Sequence, residues 1–193
     1  MATDDFPIIE LSPEQMRGHI ARFDELVPLK MAFVDTVIPG YEREILSVIG
    51  GAVIENTGNR PAIPALGAFN LAYVRSKPGA RGALHAHPTV EVFIPMSGRW
   101  QVIWGSDADF DRTPNQVELG PGDVISLPPG VMRCFRNVSS EEAVLLAIVG
   151  TAPGRTDAGR VTWPDQVLAE AAKYGVRRTA QGDLEVPQPA ARA

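Results

Sequence analysis

Between residues 31 and 150 the chain never runs far without a turn residue, and that constrains its fold more than any other feature. "MAFVDTVIPG", "REILSVIGGAVIE" and "FNLAYVRS" are short β-prone runs cut by Gly, Pro and Asn. "LHAHPTVEVFIPM", "RWQVIWGS", "QVELGPGDVISLPPG", "VMRCFRNVSS" and "EAVLLAIVG" follow. About eight short strands with turns between them predict an all-β sandwich or small barrel. The longest break among the later strands is the acidic loop "GSDADFDRTPN".

The flanks read differently. In "LSPEQMRGHIARFDELVP", Ser12 is an N-cap, Pro13 takes the first helical position and Gln15 completes a capping box. Ile20, Phe23 and Val27 then recur at helical spacing, and Pro28 ends the segment. Near the C-terminus, "TWPDQVLAEAAKYG" predicts a helix with Pro164 in its first turn and Gly175 just past its end, followed by an extended tail. The expected organisation is a helical segment over 1–30, a β-barrel over 31–150, and a helix with tail over 151–193.

A net charge of −5 argues against a nucleic-acid surface, which needs a basic stripe to displace counterions. No stretch has the length of a transmembrane helix, and "MATDDFPIIE" lacks the basic and apolar parts of a signal peptide. The single cysteine, Cys134, precludes an internal disulfide and fits a reducing compartment. The expectation is a cytoplasmic protein that takes a small-molecule substrate, without nucleic-acid or membrane partners.

The chemistry concentrates in "GARGALHAHPTVEVFIPMSG". On a strand His85, His87, Glu91 and Phe93 share one face, while Leu84, Val90, Val92 and Ile94 take the other. On a helix, residues two apart do not share a face. Two neutral imidazoles and a carboxylate converging in a β-layer suit a divalent transition metal. Hydrogen-bonded core histidines are the plainer alternative for an isolated H-x-H.

The framing of these residues resembles the cupin superfamily. Gly79, His85, His87, Glu91 and Gly98 match its first motif at every spacing, and Gly122, Pro128, Gly130 and Asn137 match its second. The resemblance implies a six- to eight-stranded jelly-roll barrel with a metal in its mouth, held by two His and a Glu of the first motif and a His of the second. Carried over, His85, His87 and Glu91 take ligand positions. The quercetin-dioxygenase-like small cupins are the expected kin, with iron first and manganese, nickel or zinc behind it. An oxidoreductase of dioxygenase type, or a related lyase or isomerase, acting on a small acidic or enolic substrate, is the leading functional expectation. A non-catalytic, metal-free cupin binding a small carboxylate is the alternative.

The chain departs from the pattern at Arg133, which stands where the second motif has its histidine. A guanidinium has no free lone pair and stays protonated, so Arg133 is no ligand. Either a metal sits on His85, His87 and Glu91 while Arg133 turns to a substrate anion, or Arg133 replaces the metal's charge and pairs with Glu91. The first is the expectation, since the imidazoles would have little to do beside an Arg–Glu pair. Cys134 points to the other face. Phe135 and Phe93 are candidate cavity residues, with Tyr73 and Arg75 as a second anion contact. Cupin barrels often pair through sheet edges, so a homodimer helped by the N-terminal segment is expected.

Overall fold

A computed structural model of the protein describes residues 8–64, 67–105, 115–151 and 158–185. Eight strands make two facing antiparallel sheets. They are β1 (Glu44–Ile49), β2 (Phe69–Ser76), β3 (Glu91–Pro95), β4 (Trp100–Trp104), β5 (Gln116–Leu119), β6 (Ile125–Leu127), β7 (Arg133–Asn137) and β8 (Ala143–Gly150). One sheet has the order β1-β2-β8-β3-β6, the other β5-β4-β7. Chain-distant strands such as β2 and β8 pair along their whole length, from Phe69 opposite Gly150 to Ser76 opposite Ala143. The result is a small jelly-roll barrel, within the sandwich-or-barrel class that the short runs predict and of the type that the family resemblance implies.

Alternation does the rest. In β2 and β8 every second residue is buried, the period expected of strands with one face on a core. Ala72, Val74, Phe93, Trp100, Val102, Phe135, Leu145 and Ala147 meet between the sheets. Trp100 and Val102 are fully buried there, so they serve packing. Cys134 lies on the reverse face of β7 beside Leu84 and Ile103. Burial pushes its thiol pKa well above the ordinary value, which keeps it an unreactive thiol.

The flanks depart from expectation in instructive ways. The N-terminal helix, α1 (Pro13–Arg17), has the anticipated capping box, with Gln15 N donating to Ser12 Oγ and Ser12 N to Gln15 Oε1. It stops at Gly18, and only a 3-10 turn over Phe23–Glu25 follows. Ile20 and Val27 face solvent, while Phe23 packs edge-on against Tyr73 at 5.0 Å. The β-prone run from Met31 also breaks: Val34–Val37 form a 3-10 turn whose Asp35 is buried. Near the C-terminus, α2 (Asp165–Lys173) starts after Pro164 and ends before Gly175, which takes a positive φ of 82° as expected. Within the tail expected to be extended, β9 (Arg177–Arg178) and β10 (Leu184–Glu185) pair as a two-stranded ribbon. The acidic loop at 106–114 lies outside the described residues. Among the described residues, no helix is long and apolar enough to cross a membrane.

Candidate functional site

His85 and His87 precede β3 rather than lying in it, and two clamps hold them. His85 exchanges backbone hydrogen bonds with Arg133 at 3.0 and 2.9 Å, while Ala86 bonds Thr162. His87 O accepts from Gly130 N at 3.0 Å. The second motif's turn and the C-terminal segment thus fix the loop carrying both imidazoles, and β3 brings Glu91 inward. Donor atoms of His85, His87 and Glu91 lie within 4.8 Å of one another, all three residues buried. This is a set that could hold a divalent metal.

The imidazole tautomers follow from their partners. His85 Nδ1 lies 2.8 Å from Ala83 O and donates to it, leaving Nε2 with the lone pair. Burial and the Arg133 charge lower its pKa to about 3, so His85 is neutral. His87 Nδ1 faces Thr89 Oγ1 at 3.4 Å, and that hydroxyl donates to Ala158 O at 3.2 Å. The lone pair of His87 is therefore also on Nε2.

Arg133 decides how these lone pairs are used. Its side chain is buried, and its Nε and Nη2 both donate to Glu91 Oε2, at 3.0 and 2.9 Å. Nη2 also contacts His87 Nε2, and Nη1 donates to Val131 O at 3.0 Å. Burial alone would raise the Glu91 pKa. The charge of Arg133 and its two hydrogen bonds oppose this and hold the carboxyl below its ordinary value. The donor set thus fits a metal by type, but its geometry as it stands does not, because a guanidinium engages two of the three donors. The expectation that Arg133 reaches for a substrate is corrected: its three nitrogens are spent on Glu91, His87 and Val131.

Behind this centre lies a cavity with about 50 Å³ open to the centre of a water-sized sphere. His85, Glu91, Phe93 and Phe135 line it. Tyr73 and Arg75 do not. Both sit on the outward parity of β2, where Arg75 pairs with Glu44 and Glu142. Their assignment to the site is corrected by that half-turn of the pleat.

Four site residues were missed by the sequence reading. Arg43 lines the cavity and is clamped by Asp35 through Nη1–Oδ2 at 3.0 Å and Nη2–Oδ1 at 2.9 Å. Asp35 Oδ2 also accepts from Ala83 N at 2.8 Å, which ties the pair to the His85 loop. Trp163, on the cavity wall, lies 5.1 Å from the His85 ring, tilted 42° to it. Its indole N–H donates to Glu55 Oε1, and Glu55 also accepts from Val34 N and pairs with Arg178 at 2.7 Å. The signal for Arg43 was available, since it shares the parity of the inward-facing Ile45. Nothing local pairs Glu55 with Trp163, 108 residues away.

A small all-β barrel with a buried His-His-Glu cluster inside one end defines the class. The comparisons narrow it: residues 72–149 match the family model described as a cupin domain. Germin-like protein subfamily 1 member 5 of Arabidopsis thaliana is 30% identical over 112 residues, which cover 57% of this chain and 50% of the relative. Subfamily 1 member 4 from the same plant is 30% identical over 109 residues, 56% of this chain and 47% of the relative. The chain thus spans about half the length of these curated relatives. Among solved structures, Lactobacillus farciminis oxalate decarboxylase aligns with 76% of this chain and 36% of its own, at a TM-score of 0.49 and 17% identity. A cupin-like protein from Thermotoga maritima aligns with 64% of this chain and 76% of its own, at 0.46 and 20%.

Proposed function

We propose that the protein is a small-molecule-binding cupin whose centre is closed by the Glu91–Arg133 pair. That pair stands where the family resemblance would put a metal and its fourth ligand. The observation that carries the reading is the double donation from Arg133 to one oxygen of Glu91, with the remaining nitrogen on a backbone carbonyl. A buried ion pair offsets its desolvation only when further hydrogen bonds satisfy its members, and Arg133 makes two to Glu91 Oε2 and one to Val131 O. The cavity beside it, with Phe93, Phe135 and Trp163 in its walls, is the ligand site.

A second reading has its own support in the 4.8 Å convergence of His85, His87 and Glu91. There the three residues hold a divalent metal that supplies Lewis-acid or O₂-binding chemistry for a dioxygenase, lyase or isomerase reaction. Arg133 must then leave, because a guanidinium 4 Å from a dication costs about 8 kcal/mol at an effective dielectric of 20. Anaerobic titration with Fe(II) and Mn(II) separates the two. On the first reading wild type binds at least ~100-fold more weakly than Arg133→His, which removes the competing cation and restores a nitrogen ligand. Equal tight binding by both proteins overturns it.

The protein is further proposed to act as a cytoplasmic homodimer. Ile8, Ile9, Leu11, Met16, Ile20, Phe23 and Val27 are all at least 40% exposed, an apolar density in one short segment that supports burial against a second copy.

A further inference from the structure

A second hollow lies outside the His-His-Glu centre. Ala52, Val53 and Ile54 separate the two: one side of this loop faces the cavity, the other the hollow. Residues 159–161 and the turn between β9 and β10 close it from outside. It offers about 180 Å³ to the centre of a water-sized sphere, more than ten times the ~10–15 Å³ that one ordered water needs.

Two guanidiniums converge there. A Cβ on Gly182 would lie 2.6 Å from Arg160 Nη1 and 2.8 Å from Arg178 Nη2, so both nitrogens rest against one bare stretch of backbone. Like charges brought this close repel unless negative charge sits with them. The carboxylates nearby answer this only in part. Arg178 faces Glu55 Oε1 at 2.7 Å through Nε, which also reaches Gly182 O at 3.5 Å. Neither Nη of Arg178 has a protein partner among the described residues, and neither is sealed from solvent. Glu55 is itself shared, since it also accepts from Trp163 Nε1 and Val34 N. Arg160 Nη1 meets Asp183 Oδ1 at 3.5 Å, the outer limit of a hydrogen bond, and both side chains are about half exposed. The hollow therefore presents forked N–H donors from two residues, within reach of water and of a solute.

We propose that this hollow is a second binding site, for a phosphate group, free or esterified, that spans the two Nη atoms of Arg178 and Nη1 of Arg160. A guanidinium fork matches the oxygens of phosphate in bidentate fashion. The two oxygens of a carboxylate are used up by one fork, whereas a phosphate group has a third oxygen for the second arginine. Glycine at 182 is what allows both cations to reach one anion, because any side chain there would drive them apart. The site does not depend on what occupies the barrel, so it stands or falls separately from the reading given above.

Titration calorimetry and proton NMR test it with inorganic phosphate, glycerol phosphate and acetate as probes. Wild type should bind one equivalent of phosphate with a Kd of about 1 mM or tighter, and acetate about tenfold or more weakly. Arg160→Gln, a change at a half-exposed side chain, should weaken phosphate about tenfold or more, the worth of one charge-assisted hydrogen bond. Arg178→Gln should abolish binding, and Arg17→Gln, on exposed α1, should leave it unchanged. The NMR signal places the ion. The Trp163 indole N–H donates to the Glu55 oxygen that faces Arg178, so its resonance, identified by its loss in Trp163→Phe, should move with phosphate. It should stay still in Arg178→Gln. Glycerol phosphate binding more tightly than phosphate assigns the remaining room to an ester, and the reverse assigns the site to the free ion; both uphold the proposal. Acetate binding as tightly as phosphate overturns the ligand class. Phosphate binding that survives both arginine changes, or leaves the Trp163 signal unmoved, shows an adventitious ion only and overturns the site, as does no saturable binding at tenfold the expected Kd.

Discussion

Replacing Arg133 with Met asks what holds the centre of the barrel together. In the wild type Glu91 is 5% exposed and receives two hydrogen bonds from Arg133, whose own side chain is fully buried. Arg133→Met roughly preserves volume and leaves the Glu91 carboxylate in a nearly dry site without its guanidinium partner. Breaking a buried pair from one side typically costs about 3–5 kcal/mol. For a chain of this size that corresponds to a fall in Tm of about 10 °C, at roughly 2–4 °C per kcal/mol. Removing the carboxylate as well, in Arg133→Met with Glu91→Leu, should recover most of the loss, because replacing both members of a buried pair by apolar groups is often neutral or stabilising. Urea unfolding of the wild type, both single variants and the double variant closes the thermodynamic cycle, and a coupling of about 2 kcal/mol or more is expected. Near-additive effects, with Arg133→Met costing less than about 1 kcal/mol, would refute the pairing argument. They would place the guanidinium in the solvated mouth instead, where ion pairs are worth little.

Three further outcomes follow from other parts of the fold. Gly98 has a φ of +69°, and a Cβ there would lie 2.4 Å from Ser139 Oγ and 2.6 Å from Ala143 Cβ. Gly98→Ala should therefore cost about 2–4 kcal/mol in denaturant unfolding, and a change below about 0.5 kcal/mol would contradict the close approach. Burial raises the pKa of Glu55 above its ordinary 4.5, despite hydrogen bonds from Trp163 and Val34 and the Arg178 charge. The folded state then holds the proton more tightly than the unfolded one, so Glu55 contributes a loss of stability as pH rises from 4.5 through the raised value. Glu55→Gln should remove that downward slope, and superimposable pH–stability curves would contradict it. Deleting residues 1–27 should convert a dimer to a folded monomer in light scattering, whereas a dimeric truncated protein would exonerate the N-terminal apolar residues.

Much of the barrel could be read from the chain because its signals are local. The β-prone run "FNLAYVRS", bounded by turn residues, coincides with β2 to the residue, and Pro164 and Gly175 bracketed α2 through their own backbone preferences. The run around Asp35 misled because its β-propensity is real but weaker than a tertiary demand. Asp35 must turn inward to meet Arg43 and Ala83 N, and a 3-10 turn does this where a strand would not. The N-terminal helix fell short because Ile20 and Val27 find no apolar partner in the protomer, so periodicity had nothing to pack on. In the site, only Glu91 is placed by the pleat of β3; His85 and His87 stand in the loop before it and are aimed by backbone bonds to Arg133, Thr162 and Gly130 that no local signal announces. The direction taken by Arg133 was not legible either, since it depends on the balance between two ion pairs. Tyr73 and Arg75 were misplaced because their strand was known but not which of its faces looked inward.

The most direct test of the closed centre is elemental analysis of wild-type protein, purified without a histidine tag and loaded anaerobically with Fe(II), then with Mn(II), Ni(II) and Zn(II), before desalting. With Arg133 holding Glu91 and His87, the account predicts far less than one equivalent of any of these metals. One tightly held equivalent, lost on changing both His85 and His87 to Ala, would contradict it.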